Sequence, residues 1–150
     1  MSVIIIVVKN NFMRILILCT GNSCRSQMAE GIIRKLNSKI EVFSAGTRPE
    51  KQVNKYAVKV MSEIGIDISQ HYPKHVDDFI SQSFNYVITV CDNAKEACPV
   101  FIGKVGKKVH IGFEDPADAK GTDEEIIAVY RKIRDLIKIR FTKFYNEEIC

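Results

Sequence analysis

The stretch RILILCTGNSCRSQMAEGIIRKL, residues 14–36, decides the fold. Arg14 to Cys19 is a short apolar run rich in Ile and Leu and closed by Thr20-Gly21-Asn22, the pattern of a buried strand. After Arg25, the residues Met28, Ala29, Ile32, Ile33 and Leu36 recur at three- and four-residue steps, which predicts a helix with one buried face. A strand, a glycine turn and a helix therefore follow directly, and Cys19 is delivered to the turn.

That turn has the parts of an oxyanion site. A tetrahedral oxyanion needs several donors converging on its oxygens, and a loop that opens a helix offers backbone N–H groups together with the positive end of the helix dipole. Gly21 permits the tight turn, and Asn22 tolerates a left-handed conformation that few other residues adopt. Arg25 adds a planar fork suited to two oxygens at once. The same field favours a thiolate, which can bring a cysteine pKa into the ~3.5–7.5 range. Ser26 can donate a further hydrogen bond to the sulfur. The expected arrangement is a Cys19 nucleophile with Thr20, Gly21, Asn22, Ser23, Cys24, Arg25 and Ser26 binding the oxyanion. A lone Cys-x5-Arg would carry little weight; the preceding strand and following helix give this one its meaning. The loop specifies oxyanion chemistry and leaves the particular oxyanion open.

Outward from this unit, Ile40 to Phe43 reads as a second strand ended by Ser44-Ala45-Gly46, and Val53 to Ile64 as a helix stopped by Gly65. Asp67 to Phe79 reads as a loop followed by a short helix. Tyr86 to Val90 and Lys107 to Ile111 supply two more strands. Thr122-Asp-Glu-Glu125 is a capping box opening a long helix, with Ile126, Tyr130, Ile133, Ile137, Phe141 and Phe144 facing inward. The alternation predicts an α/β fold, a three-layer sandwich with a four-stranded parallel sheet. Ligands of such sheets bind beyond the carboxyl ends of the strands. Cys19, Cys91 and Asp115 all fall at or just after such ends.

Residues 13–150 have the length and the apolar content, 46% over the chain, of a single domain with a real core. Met13 resembles a second start, so residues 1–12 are expected to be an N-terminal extension of unassigned role. Within it, the apolar run Val3 to Val8 is far shorter than the roughly 20 residues that span a bilayer. It also lacks the marks of a secretory signal, so a cytoplasmic protein with no membrane association is expected. The net charge of +4 is spread along the chain, and the basic residues of Arg131 to Lys143 interleave with apolar ones at helical spacing. This reads as the solvated face of a helix and gives no reason to expect nucleic acid. Five cysteines in a cytoplasmic chain should be reduced at rest. Their odd number spoils a fixed disulfide framework, their spacings, Cys-x4-Cys and Cys-x6-Cys, fit a zinc site poorly, and no metal is expected.

Cys91 and Cys98, in CDNAKEACP (residues 91–99), pose a geometric question. If the segment were helical the two would lie about 10 Å apart along the axis at about 1.5 Å per residue. A disulfide needs Cα atoms within roughly 7 Å. Bonding them therefore requires the segment to unwind, with Pro99 marking an end from which it can do so. Two incidental cysteines, or a non-enzymatic thiol redox sensor, remain open readings of this segment.

The stretch Cys19 to Gly31, CTGNSCRSQMAEG, resembles the signature shared by low-molecular-weight protein tyrosine phosphatases and thioredoxin-coupled arsenate reductases; its Ser-Gln-Met-Ala-Glu extension is closer to the reductases. The resemblance continues through Ser44-Ala-Gly46, Ile66-Asp-Ile-Ser69, Cys91 to Pro99 and Gly112 to Ala117. It implies the phosphatase-like fold, and it implies that Cys19 attacks arsenate held by Arg25 and the loop while Asp115 protonates the departing oxygen. Cys91 would then attack Cys19, and Cys98 would carry the resulting disulfide outward to thioredoxin. Phosphoryl transfer needs no electrons and arsenate reduction needs two, which gives the second cysteine pair its purpose. Tyrosine phosphatases usually follow Asp-Pro with an aromatic residue; Ala117 departs from that pattern. The resemblance further implies a monomer involved in arsenical resistance, phosphate and sulfate as substrate analogues, electrons from thioredoxin and no bound cofactor. The alternative within the family is a phosphatase. Some of these reductases bind potassium through positions matched by Asn22, Glu30 and Ser44, but Tyr72 and Lys74 replace the remaining side chains, so no potassium requirement is expected. Cys24 is expected to be structural, and Cys150 has no assigned role.

Overall fold

The computed structural model describes residues 13–150, and the expected extension over 1–12 lies outside the described residues. Four strands, β1 (Arg14–Cys19), β2 (Glu41–Gly46), β3 (Phe84–Thr89) and β4 (Val105–His110), form one sheet in the order β2-β1-β3-β4. All three pairings are parallel. The connected helices are α1 (Arg25–Leu36), α2 (Lys55–Ser62) and α3 (Asp123–Glu148).

Both faces are covered, as expected, but by unlike material. Ile15, Ile17, Ile88 and Val90 face the three helices, meeting Met28 and Ile33 of α1, Val60 and Met61 of α2, and Ile137 and Phe141 of α3. Leu16, Leu18 and Val87 face a thinner layer of Val76, Phe79 and Phe101, contributed by a 3-10 turn at Val76–Asp78 and a loop. Strand β1 is thus apolar on both sides, and Ile15 to Leu18 are fully buried. Each such side chain contributes roughly 1.5–3 kcal/mol relative to exposure.

The inward stripe of α3 is observed at Tyr130, Ile133, Ile137, Phe141 and Phe144; its first turn is rotated so that Ile127 is buried and Ile126 only partly so. The capping box is complete, with Thr122 Oγ1 accepting from Glu125 N at 3.2 Å and Glu125 Oε1 accepting from Thr122 N at 3.3 Å. The basic residues of α3 lie mainly in solvent. Arg134 is the exception: it is buried and donates to Val60 O at 2.8 Å and to Glu63 at 2.8 Å, clamping α3 to the end of α2.

Three of the strands differ from expectation in their boundaries. Strand β2 runs through Ser44-Ala45-Gly46 rather than stopping before it, because these residues pair with Ile17, Leu18 and Cys19. Strands β3 and β4 each begin two residues earlier than expected and end one residue earlier. The extension of β2 has a consequence for the site: a Cβ on Gly46 would stand 2.2 Å from Thr20 O, so only glycine lets β2 lie against the loop that follows β1. The strand order also places β1 beside β3 although β2 intervenes in sequence. The chain parts at that point, leaving a crevice at the carboxyl ends of two adjacent strands.

Candidate active site

The loop between β1 and α1 forms a pocket of about 290 Å³ lined by Cys19 to Arg25 together with Arg48, Glu50, Glu96, Asp115 and Ala117. A wider, open groove of about 840 Å³ runs along α3 past Asp135, Lys138, Ile139 and Thr142. It brings no nucleophile to converging donors, and the chemistry belongs to the smaller pocket.

Asn22 adopts the expected left-handed conformation, with φ of 52°. Its N–H donates to Cys19 Sγ at 3.0 Å, and its side-chain amide donates to Ser26 Oγ at 2.8 Å. Ser26 Oγ lies 2.8 Å from Cys19 Sγ, so its hydroxyl is placed to donate to the sulfur when that is a thiolate. Among the described residues no side chain caps the N-terminus of α1, and its first turn holds no acidic residue, so the opening N–H groups are available to a ligand's oxygens.

The direction of those N–H groups is set from outside the loop. Arg48 N donates to Thr20 O at 3.0 Å, Glu50 N to Gly21 O at 2.8 Å, and Asn54 N to Ser23 O at 2.9 Å. Because the N–H of a trans peptide points opposite to its carbonyl, drawing these three carbonyls toward 48–54 turns the N–H groups of Gly21, Asn22 and Cys24 away from that segment. The 46–54 segment is a frame for the site that sequence reading missed, since its contribution is made by backbone atoms and leaves no residue-type signal.

Burial pushes the Cys19 thiol above its ordinary range, and the opposing donations from Ser26, Arg25 and Asn22 do not offset it. Burial thus works against the thiolate expected at Cys19, while the loop donors work for it. A sulfur anion shut away from water loses more solvation than the surrounding donors return. Cys24 turns its sulfur away from the pocket toward Tyr130 Oη at 3.5 Å, and burial pushes its thiol up to about 11. Only the backbone at Cys24 serves the site.

Arg25 is buried, with its guanidinium fixed by Phe113 O at 3.1 Å, Asp115 Oδ2 at 3.4 Å and both oxygens of Glu96. Asp115 has the extended backbone expected before proline, and its other carboxylate oxygen accepts from Ala117 N at 3.0 Å. It is about one-third exposed at the pocket rim. Glu96 was not anticipated as a site residue. Nothing in its sequence position distinguishes it from any other solvent-facing glutamate.

Cys91 follows β3, one residue past Val90, whose N–H bonds Leu18 O at 3.0 Å; the topology thus brings Cys91 to the same carboxyl end of the sheet as Cys19. Cys91 and Cys98 are joined by a disulfide with Cα atoms 5.7 Å apart. The segment between them is a turn and not a helix, in line with the unwinding that the spacing demanded. Cys91 is fully buried, Cys98 is partly exposed, and Val100 and Ile102 beside it are each 80% exposed. Cys150, exposed near the end of α3, lies apart from this machinery.

Asn22, Glu30 and Ser44 also come together, but their oxygens are already engaged. Asn22 Oδ1 accepts from Gln27 at 3.1 Å and from Lys74 N at 2.9 Å, while Glu30 takes His71 Nδ1 at 3.0 Å and the Ser44 hydroxyl at 3.2 Å. The partly buried Lys74 ammonium adds a positive charge near Glu30. Burial lowers its pKa, with Glu30 offsetting part of that effect. This donor set does not fit a potassium ion.

The pattern of the low molecular weight phosphotyrosine protein phosphatase family matches residues 14–149. A curated arsenate reductase from Halalkalibacterium halodurans is 48% identical over 128 residues, covering 85% of this chain and 91% of the relative. One from Bacillus subtilis is 44% identical over the same shares. Among solved structures, an arsenate reductase in the phosphate binding state superposes with a TM-score of 0.74 at 29% identity, covering 91% of this chain and 98% of the other.

Proposed function

The chain belongs to the low molecular weight phosphotyrosine protein phosphatase family and is an arsenate reductase within it, and from that premise we propose the route by which it reduces arsenate to arsenite. The observation that carries the route is the Cys91–Cys98 disulfide at the carboxyl end of the sheet, which also presents the Cys19 loop. A phosphatase needs no second sulfur pair.

Arsenate enters the pocket with its oxygens on the 20–26 amides and the Arg25 fork. Cys19 Sγ attacks arsenic, and Asp115 gives a proton to the departing oxygen, which leaves as water. Cys91, as its thiolate, attacks Cys19 Sγ. The sulfur–arsenic bonding pair passes to arsenic, arsenite departs, and a Cys19–Cys91 disulfide remains. Cys98 then attacks Cys91, returning Cys19 and leaving the Cys91–Cys98 bond. An external dithiol supplies two electrons and two protons to restore both thiols and is itself oxidised to a disulfide.

Thioredoxin is the proposed dithiol. Because Cys91 is buried, an incoming thiolate must attack Cys98, and the exposed apolar Val100 and Ile102 offer a surface for a docking protein. Such an enzyme works in the cytoplasm, where the reductant is regenerated. Among the described residues no helix is long and apolar enough to cross a membrane. Arsenate added to the protein with thioredoxin, its reductase and NADPH should drive NADPH oxidation matched by arsenite; no arsenate-dependent oxidation would overturn the proposal. The shared loop should also leave slow hydrolysis of an aryl phosphate. With Lys74 near Glu30 and the neighbouring oxygens engaged, exchanging sodium for potassium should leave kcat/KM for arsenate unchanged, as steady-state assays in the two salts will show.

A further inference from the structure

Glu96 is the one residue of the 92–97 turn that reaches into the oxyanion pocket, and it makes there the contacts that an oxyanion would need. Both of its oxygens lie on the Arg25 fork, with Nη2 to Oε2 at 3.2 Å. Thr20 Oγ1 donates to Oε2 at 3.0 Å, and Asp92 N donates to Oε1 at 2.6 Å. Burial alone would raise this carboxyl's pKa, but the donations from Arg25, Asp92 N and Thr20 outweigh it and hold the group ionised. A carboxylate presents two oxygens to a guanidinium much as one edge of a tetrahedral oxyanion does.

We propose that Glu96 is an internal oxyanion mimic, whose carboxylate occupies the Arg25 fork while the Cys91–Cys98 disulfide is present, so that oxyanions bind freely only after that bond is reduced. The inference rests on the relay proposed above, in which this disulfide closes each turnover.

The disulfide and the carboxylate are mechanically linked. The bond holds the two Cα atoms 5.7 Å apart and compresses the intervening residues into a turn closed by Glu96 N to Asp92 O at 2.9 Å. If reduction lets residues 92–98 become helical, that separation grows to about 10 Å. With Cys91 held in the core, the displacement of roughly 4 Å falls on the far end of the segment that carries Glu96, which is more than a hydrogen bond tolerates, so Glu96 would leave Arg25. The charges act in the same direction. With Glu96 in place, the formal charges lining the pocket are Arg25 and Arg48 against Glu50, Glu96 and Asp115, one more negative than positive. Withdrawing Glu96 balances the side chains and leaves the helix N-terminus as a net attraction for an anion. The device would keep abundant phosphate from occupying an enzyme that has no electrons to deliver. It also fits the raised Cys19 thiol in this form, where the sulfur is buried.

Phosphate is a suitable probe because it binds without being reduced. Isothermal titration of inorganic phosphate should show at least roughly tenfold weaker binding to the disulfide form of the wild-type protein than to its dithiothreitol-reduced form, thiol counting having verified each state. In Glu96→Gln and in Glu96→Ala that difference should vanish, through tighter binding to the disulfide form. By reciprocity, saturating phosphate should shift the thiol–disulfide equilibrium of the wild-type protein toward thiols by the same factor, and should not shift that of either variant. Equal phosphate affinity in the two wild-type redox states, or a difference that survives in both variants, would overturn the proposal. Neither result depends on arsenate turnover, so failure here is distinct from failure of the coupled assay.

Discussion

Cys98→Ser should stop arsenate reduction after a single arsenite per chain. Cys19 and Cys91 are still present, so arsenate is still captured and the first disulfide still forms. That bond has no exit, because Cys91 and Cys19 are both buried and no external dithiol reaches them. Steady-state turnover in the coupled assay should fall by roughly a thousandfold or more, the scale seen when one member of a jointly acting set is lost. Quenched samples should show one arsenite per protein and a Cys19–Cys91 disulfide by peptide mapping. Hydrolysis of an aryl phosphate should be unaffected, since it uses Cys19, Arg25 and Asp115 and moves no electrons. Loss of both activities together would place Cys98 in the structure of the pocket, whereas loss of the reductase activity alone places it in the relay.

Arg25→Lys should cost about 10²–10³ in kcat/KM for arsenate, the range found when a preorganised donor is removed from an oxyanion site. The substitution keeps the charge and removes the fork. A lysine ammonium can face one oxygen but cannot hold two in a plane. Arg25 also carries a bond to Phe113 O at 3.1 Å and an ion pair with Asp115 at 3.4 Å, which together fix the acid against the loop. Lysine would loosen both, so the loss should fall on kcat as well as on KM. Phosphate inhibition should weaken in parallel, which steady-state kinetics with arsenate and phosphate together will read.

The residues that do chemistry were legible because chemistry restricts residue type. A cysteine ending a strand, a glycine turn, an arginine six residues on and an Asp-Pro after the last strand cannot be exchanged for equivalents. The same restriction made the disulfide geometry readable, since helical rise and sulfur reach are fixed lengths. Less legible were features that depend on pairing between distant segments. The β2 boundary was set too early because Ser44-Ala45-Gly46 looks like a turn; only its register against Ile17, Leu18 and Cys19 makes it strand. The burial of Cys19, which pushes its thiol up against the pull of the loop donors, is likewise a product of packing and has no residue-type signal.

The sequence by itself determined the parallel α/β order, the Cys19 nucleophile with its loop, and the need for residues 91–98 to unwind when bonded. These follow from periodicity, residue chemistry and bond lengths, which are local properties. Only the tertiary structure decided that the 46–54 backbone orients the loop amides, that Gly46 must lack a side chain, and that Glu96 takes the arginine meant for the substrate. Each of those depends on two segments meeting in space, and a contact of that kind is written in neither segment alone.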